Sequence, residues 1–194
     1  MNHDRYDDSY IRGILNTVKT IAMVGASAKD NRPSYFAFKY LGERGYNMIP
    51  VNPGLAGKEL LGRKIYGKLS DIPEPVDMVD IFRGSQFAMS IVDEALAMKP
   101  RPQVIWMQLT VRDDTADAKA EAAGLKVVMN RCPKIEYGRL SSEISWMGVN
   151  SRTLSSKRAP IPTQGMRLSL NRTSVGGGAT AASDRAAKNK SEST

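Results

Sequence analysis

The sequence holds a single cysteine and a single histidine among its 194 residues. One cysteine, Cys132, excludes an internal disulfide and a cysteine-based zinc cluster. The one histidine, His3, is expected in a frayed N-terminal stretch, so a Ser-His-Asp or Cys-His mechanism finds no base in the core. No run of about eighteen apolar residues occurs, which argues against a membrane-spanning helix. The opening residues, MNHDRYDDSY, are acidic and polar. They have neither the apolar core of a signal peptide nor the Arg-rich character of a transit peptide. These absences predict a reducing, cytoplasmic setting.

Charge is unevenly placed. The chain carries 28 Lys and Arg against 20 Asp and Glu, a net +8. Residues 151–194 contribute +6 of this and the first 150 residues only +2. The same C-terminal stretch is rich in Ser, Thr, Gly and Ala, has no aromatic residue and offers few large apolar ones. It cannot bury enough surface to offset its ordering entropy. The reading is therefore a folded domain over residues 1–150 and a basic, low-complexity, disordered tail over 151–194.

Within the domain, apolar runs alternate with helical patterns. Residues 7–18 place Ile11, Ile14, Leu15 and Val18 on one face of a helix, with Asp7 and Asp8 at its favourable N-terminal end. TIAMVG (20–25) reads as a buried first strand ending at glycine. Pro33 suits the first position of a helix that carries Phe36, Ala37, Tyr40 and Leu41 inward. YNMIPV follows as a second strand, although Pro50 cannot donate to a ladder. VDMVDIF (76–82) is a third strand, and Ser85 is placed to cap a helix bearing Phe87, Ile91, Val92, Ala95 and Leu96. VIWMQL (104–109) and LKVVM (125–129) are the fourth and fifth strands, separated by a helix opened by Asp113 and Asp114. The alternation predicts an α/β, Rossmann-like, doubly wound fold: a mostly parallel five-stranded sheet of order 3-2-1-4-5 with helices on both faces. Ligands of such sheets bind outside the carboxyl ends of the strands.

Two things are missing where a dinucleotide site would need them. The turn after the first strand keeps Gly25, but Ser27 and Asp30 stand where the fingerprint G-x-G-x-x-G has its second and third glycines. The end of the second strand carries Asn52, between Val51 and Pro53, instead of the carboxylate that holds an NAD ribose. With Lys58, Arg63 and Lys64 in the adjoining loop, that end favours a phosphorylated ribose, as in coenzyme A or NADP. Serine can still donate to a phosphate, and the helix beyond Pro33 offers its N-terminal dipole to an anion. Phe82 and Arg83 end the third strand, placed to stack on adenine and pair with a phosphate. Gln108 lies at the mouth of the fourth, its amide available to a pantetheine or substrate group. Trp106 reads as core.

Taken together, VGAS with RPS, GYNMIPVNP, YGKLSDIPEPVDMVDIFR, VIWMQL and AGLKVVMNRCPKIEYGRL resemble the small CoA-binding protein family, which is similar to the N-terminal nucleotide-binding domain of succinyl-CoA synthetase α subunits. The resemblance runs from about residue 11 to residue 140. It implies a CoA-binding Rossmann domain with no established reaction. It gives Gly25, Ala26 and Ser27 a phosphate-turn role, sets Arg32 and Ser34 beside the pyrophosphate, and lines the adenosine pocket with Val51, Asn52 and Pro53, closed by Phe82 and Arg83. One position departs: the family usually reads Gln-x-Gly after the fourth-strand tryptophan, and here Gln108-Leu109 is followed by Thr110. Glycine there would allow backbone freedom or close ligand approach.

The resulting reading is a non-catalytic binding or regulatory protein whose ligand is CoA or an acyl-CoA, with no metal. The synthetase reaction needs a phosphorylated histidine on a second domain, which this chain does not supply. Cys132, near Arg131 and Lys134, is the one reactive candidate: neighbouring cations would favour its thiolate, whereas burial would leave it inert. Two other classes stay open. An NADP-dependent oxidoreductase would need a proton donor, and Tyr137 has no Tyr-x-x-x-Lys spacing. The basic tail would bind nucleic acid only weakly and without sequence specificity. The apolar segment around Ile144, Trp146 and Met147 is expected to cover the sheet or to meet a second copy, which leaves a homodimer or a partner enzyme as the macromolecular partners.

Overall fold

The computed structural model describes residues 3–141. Helix α1 (Asp8–Thr17) precedes the first strand, β1 (Thr20–Val24), whose last four residues are all buried. Helix α2 (Pro33–Glu43) starts on the proline, as its fixed φ and missing N–H favour. It stops at Gly45, which adopts φ +85°. Strand β2 (Asn47–Val51) is followed by a short hairpin, β3 (Glu59–Leu60) with β4 (Arg63–Lys64). Strand β5 (Met78–Ile81), helix α3 (Ala88–Ala97), strand β6 (Val104–Met107), helix α4 (Asp114–Ala122), strand β7 (Lys126–Val128) and helix α5 (Pro133–Leu140) complete the fold. Asp113 caps α4, accepting from the N–H groups of Thr115 and Ala116.

The main sheet runs β2-β1-β5-β6-β7 and every pairing in it is parallel. Outside β2, Tyr66 makes a parallel bridge to Val51, the rudiment of an outer strand. The five predicted strands are β1, β2, β5, β6 and β7, and they form the predicted doubly wound, five-stranded parallel sheet, with β5, the strand predicted over 76–82, beside β1 on the side away from β2. Pro50 is tolerated because its carbonyl still accepts from the Tyr66 N–H at 2.9 Å.

Strand side chains alternate between two apolar layers. On one face Ile21, Met23, Met78 and Trp106 pack against Ile14 and Leu15 of α1, Phe38 and Leu41 of α2, and Tyr137 of α5. On the other, Ala22, Val24, Val79, Ile105 and Met107 meet Ile91, Val92 and Ala95 of α3 and Ala116 and Ala120 of α4. The chain therefore leaves β1 toward one face and β5 toward the other, which opens a crevice between their carboxyl ends.

Three sequence expectations are corrected. In α2 the buried set is Ser34, Ala37, Phe38 and Leu41, so Phe36 falls on the outer side at 51% exposure and Tyr40 only edges the core. Ser85 does not cap α3: it opens a 3-10 turn with Phe87, which is exposed, and its Oγ accepts from the Arg112 N–H at 3.0 Å. His3 is not frayed but 5% exposed, folded against α4. The tail and the segment around Ile144, Trp146 and Met147 lie outside the described residues. Among the described residues no helix is long and apolar enough to cross a membrane.

Candidate functional site

The turn after β1 is built by the sheet itself. Gly25 continues the strand by donating to the Val51 carbonyl at 2.8 Å and then turns at φ +94°. A Cβ at Gly25 would stand 2.7 Å from the Phe82 carbonyl oxygen and 3.0 Å from Arg83 Cδ. Glycine is thus required twice over, by conformation and by the close approach of the β5 exit. Ala26 is buried, and its carbonyl accepts from Asn52 Nδ2 at 2.8 Å. Ser27 donates its N–H to Ser34 Oγ at 3.2 Å, while its own Oγ accepts from the Lys29 N–H at 3.1 Å. Ser34, near the start of α2, is therefore a brace for the turn. Arg32 occupies the N-cap position of α2 with its side chain exposed.

At the end of β2, Val51 is buried under the turn and its carbonyl accepts from Gly25 and Ala26. Asn52 is committed at both ends of its amide: besides Ala26, its Oδ1 accepts from the Gly54 N–H at 3.0 Å. It ties the β1 and β2 loops together. Pro53 is exposed at the start of a short 3-10 turn. Of the loop cations, Arg63 lies beside Gly42 and Glu43 at the C-terminal end of α2. That is about 12 Å along the helix from Ser34. Lys64 sits over the Tyr66 ring at 5.4 Å. The hairpin carries Arg63 away from the turn, so it does not meet an anion held there.

Beside the turn a cleft of about 460 Å³ opens at the carboxyl ends of β5 and β6. Its walls come from Pro33 and Ala37 of α2, from Phe82 and Arg83, from Gln108 to Val111, and from Cys132, Lys134 and Ile135 at the start of α5. Phe82 is half-buried, and the exposed Arg83 guanidinium lies 4.7 Å over the Phe87 ring. Of the predicted residues, then, Phe82, Arg83 and Gln108 line one cavity, with the Gly25 to Ser27 turn next to it.

The floor of the cleft is polar in a way the sequence reading did not foresee. Asp80 is fully buried in β5, with Met23 and Trp106 as its neighbours on the flanking strands. Burial pushes its carboxyl up to about 8 against the opposing pull of a Gln108 hydrogen bond. Gln108 donates Nε2 to both Asp80 oxygens, at 2.9 and 3.2 Å. Its amide N–H is thus directed into the floor rather than at a ligand. A carboxylate inside the apolar run VDMVDIF was the available signal. Trp106 is core, its Nε1 donating to the Arg131 carbonyl at 2.8 Å. Burial also pushes the Cys132 thiol up, outweighing the Ile135 and Lys134 backbone N–H groups and the Lys134 charge. Of the two alternatives for Cys132, the structure has the buried thiol.

Thr110 adopts φ +70°, the left-handed region that glycine takes without penalty. The glycine implied by the resemblance thus has a backbone reason. Here the turn is held instead by Asn130, whose Oδ1 accepts from the Thr110 N–H at 2.8 Å.

Known proteins align with most of this arrangement. The sequence profile of the CoA binding domain matches residues 19–138. The Bacillus subtilis protein YneT is 33% identical over 127 residues, 66% of this chain and 91% of YneT. A solved Pyrococcus horikoshii OT3 protein is 42% identical with a TM-score of 0.66, covering 71% of this chain and 94% of its own. The alpha subunit of acetate–CoA ligase (ADP-forming) I from Pyrococcus furiosus is 36% identical over 80 residues. That match spans 39% of this chain and only 17% of the subunit. With its profile match running from the start of β1 into α5, the chain belongs to the CoA binding domain family.

Proposed function

We propose that the protein binds coenzyme A or an acyl-CoA across the carboxyl ends of β1, β2, β5 and β6, and serves as a binding or regulatory module rather than a catalyst. The observation that carries this reading is the Gly25 turn pressed against Phe82 and Arg83 beside the 460 Å³ cleft. The N-terminus of α2 supplies a positive dipole end for the pyrophosphate, and the turn, whose Gly25, Ala26 and Ser27 N–H groups are engaged by Val51 and Ser34, shapes the surface that receives it. Arg32 and Arg83 supply cations beside it. Val51, Asn52 and Pro53 form the adenosine side, where Asn52 acts by shaping the backbone because its amide is engaged by Ala26 and Gly54.

The cleft takes the pantetheine arm and its acyl group. Pro33, Ala37, Phe82, Leu109 and Ile135 give it apolar walls. These suit a flexible amide-bearing chain ending in a sulfur or a small acyl group. Chemistry at that sulfur would need an activated nucleophile or base. Cys132 is held as the thiol by burial, and Asp80 lies under Gln108. Such a cleft holds a thioester without cleaving it. The acetate–CoA ligase likeness covers one part of one subunit, so a ligase reaction would draw on parts that lie outside the match.

Melting the purified chain with CoA, acetyl-CoA, NADP and NAD in separate samples tests the reading. A ligand at about a hundred times its dissociation constant adds roughly 2.7 kcal/mol. The expected result is a raised midpoint with CoA or acetyl-CoA and none with the dinucleotides. A shift confined to NADP or NAD sinks the proposal.

A further inference from the structure

The segment ahead of α1 folds back onto α4 and brings three potential metal ligands together at the β7 edge of the sheet. His3 Nε2 stands 3.1 Å from Asp117 Oδ1 and 3.5 Å from Glu121 Oε1. All three ligand atoms lie within 4.8 Å of one another. Asp117 and Glu121 share one face of α4, four residues apart. His3 is 5% and Asp117 7% exposed.

Hydrogen bonding is what points to a cation. His3 Nδ1 is 2.7 Å from Tyr6 Oη, which also accepts from the Met129 N–H at 2.7 Å. With Nδ1 engaged by Tyr6, Nε2 faces the two carboxylates. His3 Nε2 and Asp117 Oδ1 are both buried without any hydrogen-bond partner despite their close approach. A metal ion shared by the two would satisfy both.

The spacing fits as well. Ligand bonds of about 2.0 to 2.2 Å in a tetrahedral set place neighbouring ligand atoms about 3.3 to 3.6 Å apart, which spans the 3.5 Å His3–Glu121 distance and lies slightly above the 3.1 Å His3–Asp117 one. One imidazole with two carboxylates suits zinc and its first-row neighbours, whereas magnesium and calcium prefer oxygen-only shells with more ligands. Two carboxylates supply negative charge for a divalent ion. With Nε2 on a metal, Nδ1–H would donate to Tyr6, the outer-shell contact that fixes a metal-bound ring.

We propose that His3, Asp117 and Glu121 bind a divalent ion of the zinc class, which fastens the N-terminal segment to α4. Three protein ligands leave a fourth position for water. The clip also anchors Tyr6, which bonds the backbone at Met129, one residue before the Asn130 that holds Thr110 at the cleft rim.

The test uses the full chain, stripped with a chelator and dialysed against micromolar Zn²⁺, with bound zinc and melting midpoint both measured. Wild type and Cys132→Ser are expected to retain a single ion and to gain a raised midpoint. His3→Gln and Glu121→Gln are expected to lose affinity by more than about tenfold, the scale reached even by losing outer-shell partners. Circular dichroism checks that each variant is folded, and the half-exposed Glu121 gives a readout if His3→Gln unfolds. Failure of wild type to retain zinc, or equal retention by both ligand variants, overturns the proposal. Loss of zinc only in Cys132→Ser overturns it too, because the ion would then be a thiolate's.

Discussion

Gln108 donates to both oxygens of Asp80 directly beneath the cleft, and the carboxyl it meets is pushed up to about 8 by complete burial. In the unfolded chain the same group titrates near 3.8. Between those values the folded protein binds a proton that the unfolded chain has released. The stability contributed by neutral Asp80 is therefore full below about pH 4 and is lost as pH rises toward about 8, at up to about 1.4 kcal/mol per pH unit. Asp80→Asn, isosteric and never charged, removes that dependence. Urea unfolding at pH 5 and pH 8 should show wild type weakening relative to the variant at the higher pH. Parallel behaviour of the two would show that Asp80 is not held neutral.

Thr110 carries a β-branched side chain at φ +70°. That conformation costs an L residue on the order of 1–2 kcal/mol, part of which glycine's greater unfolded-state entropy offsets. Thr110→Gly should raise stability by about 1 kcal/mol or slightly less, a shift of a few degrees in melting midpoint. A midpoint lowered by the substitution would mean that the Thr110 side chain contributes more than its backbone strain costs.

Asn52 braces two loops through Ala26 and Gly54. Asn52→Ala leaves the Ala26 carbonyl without that donor and frees the turn, at a cost of about 1–2 kcal/mol. Weaker CoA binding should accompany the loss, since the turn shapes the anion site. Asn52→Asp should be no better, because a carboxylate cannot donate to Ala26. Calorimetric melting of both variants measures this, and an unaffected Asn52→Ala would contradict the brace.

Cys132 lines the cleft as a protonated, buried thiol. Alkylation at neutral pH should be slow in the folded chain and should accelerate in denaturant. Mass spectrometry of iodoacetamide-treated samples reads this directly. Modification as fast in the folded state as in the unfolded one would contradict the assignment.

The order of elements was legible because continuous apolar runs such as TIAMVG and VIWMQL are bounded by glycines, prolines and an Asp113 cap, all local signals. The Gly25 turn and the β5 exit were legible for the same reason, since their place follows from topology. What escaped depends on contacts distant in sequence. His3 is buried against Asp117 and Glu121 of α4, more than a hundred residues away, beside a Tyr6 that itself bonds Met129. Asp80 and Gln108 pair across two strands. Phe36 and Phe38 differ by the phase of a single helix, and spacing alone assigned the wrong one. Arg63 read as a phosphate contact because sequence proximity to β2 hid the hairpin that carries it to the far end of α2.

Titration calorimetry of the full chain with CoA, beside Arg83→Glu, tests the central claim most directly. Arg83 is exposed at the cleft mouth, so its replacement leaves the core untouched. Wild type should bind CoA at a single site, and the charge reversal should weaken it by roughly tenfold or more, the loss of one charge-assisted contact. No heat with wild type, or equal affinity in both proteins, would contradict a CoA site at the β1 and β5 crevice.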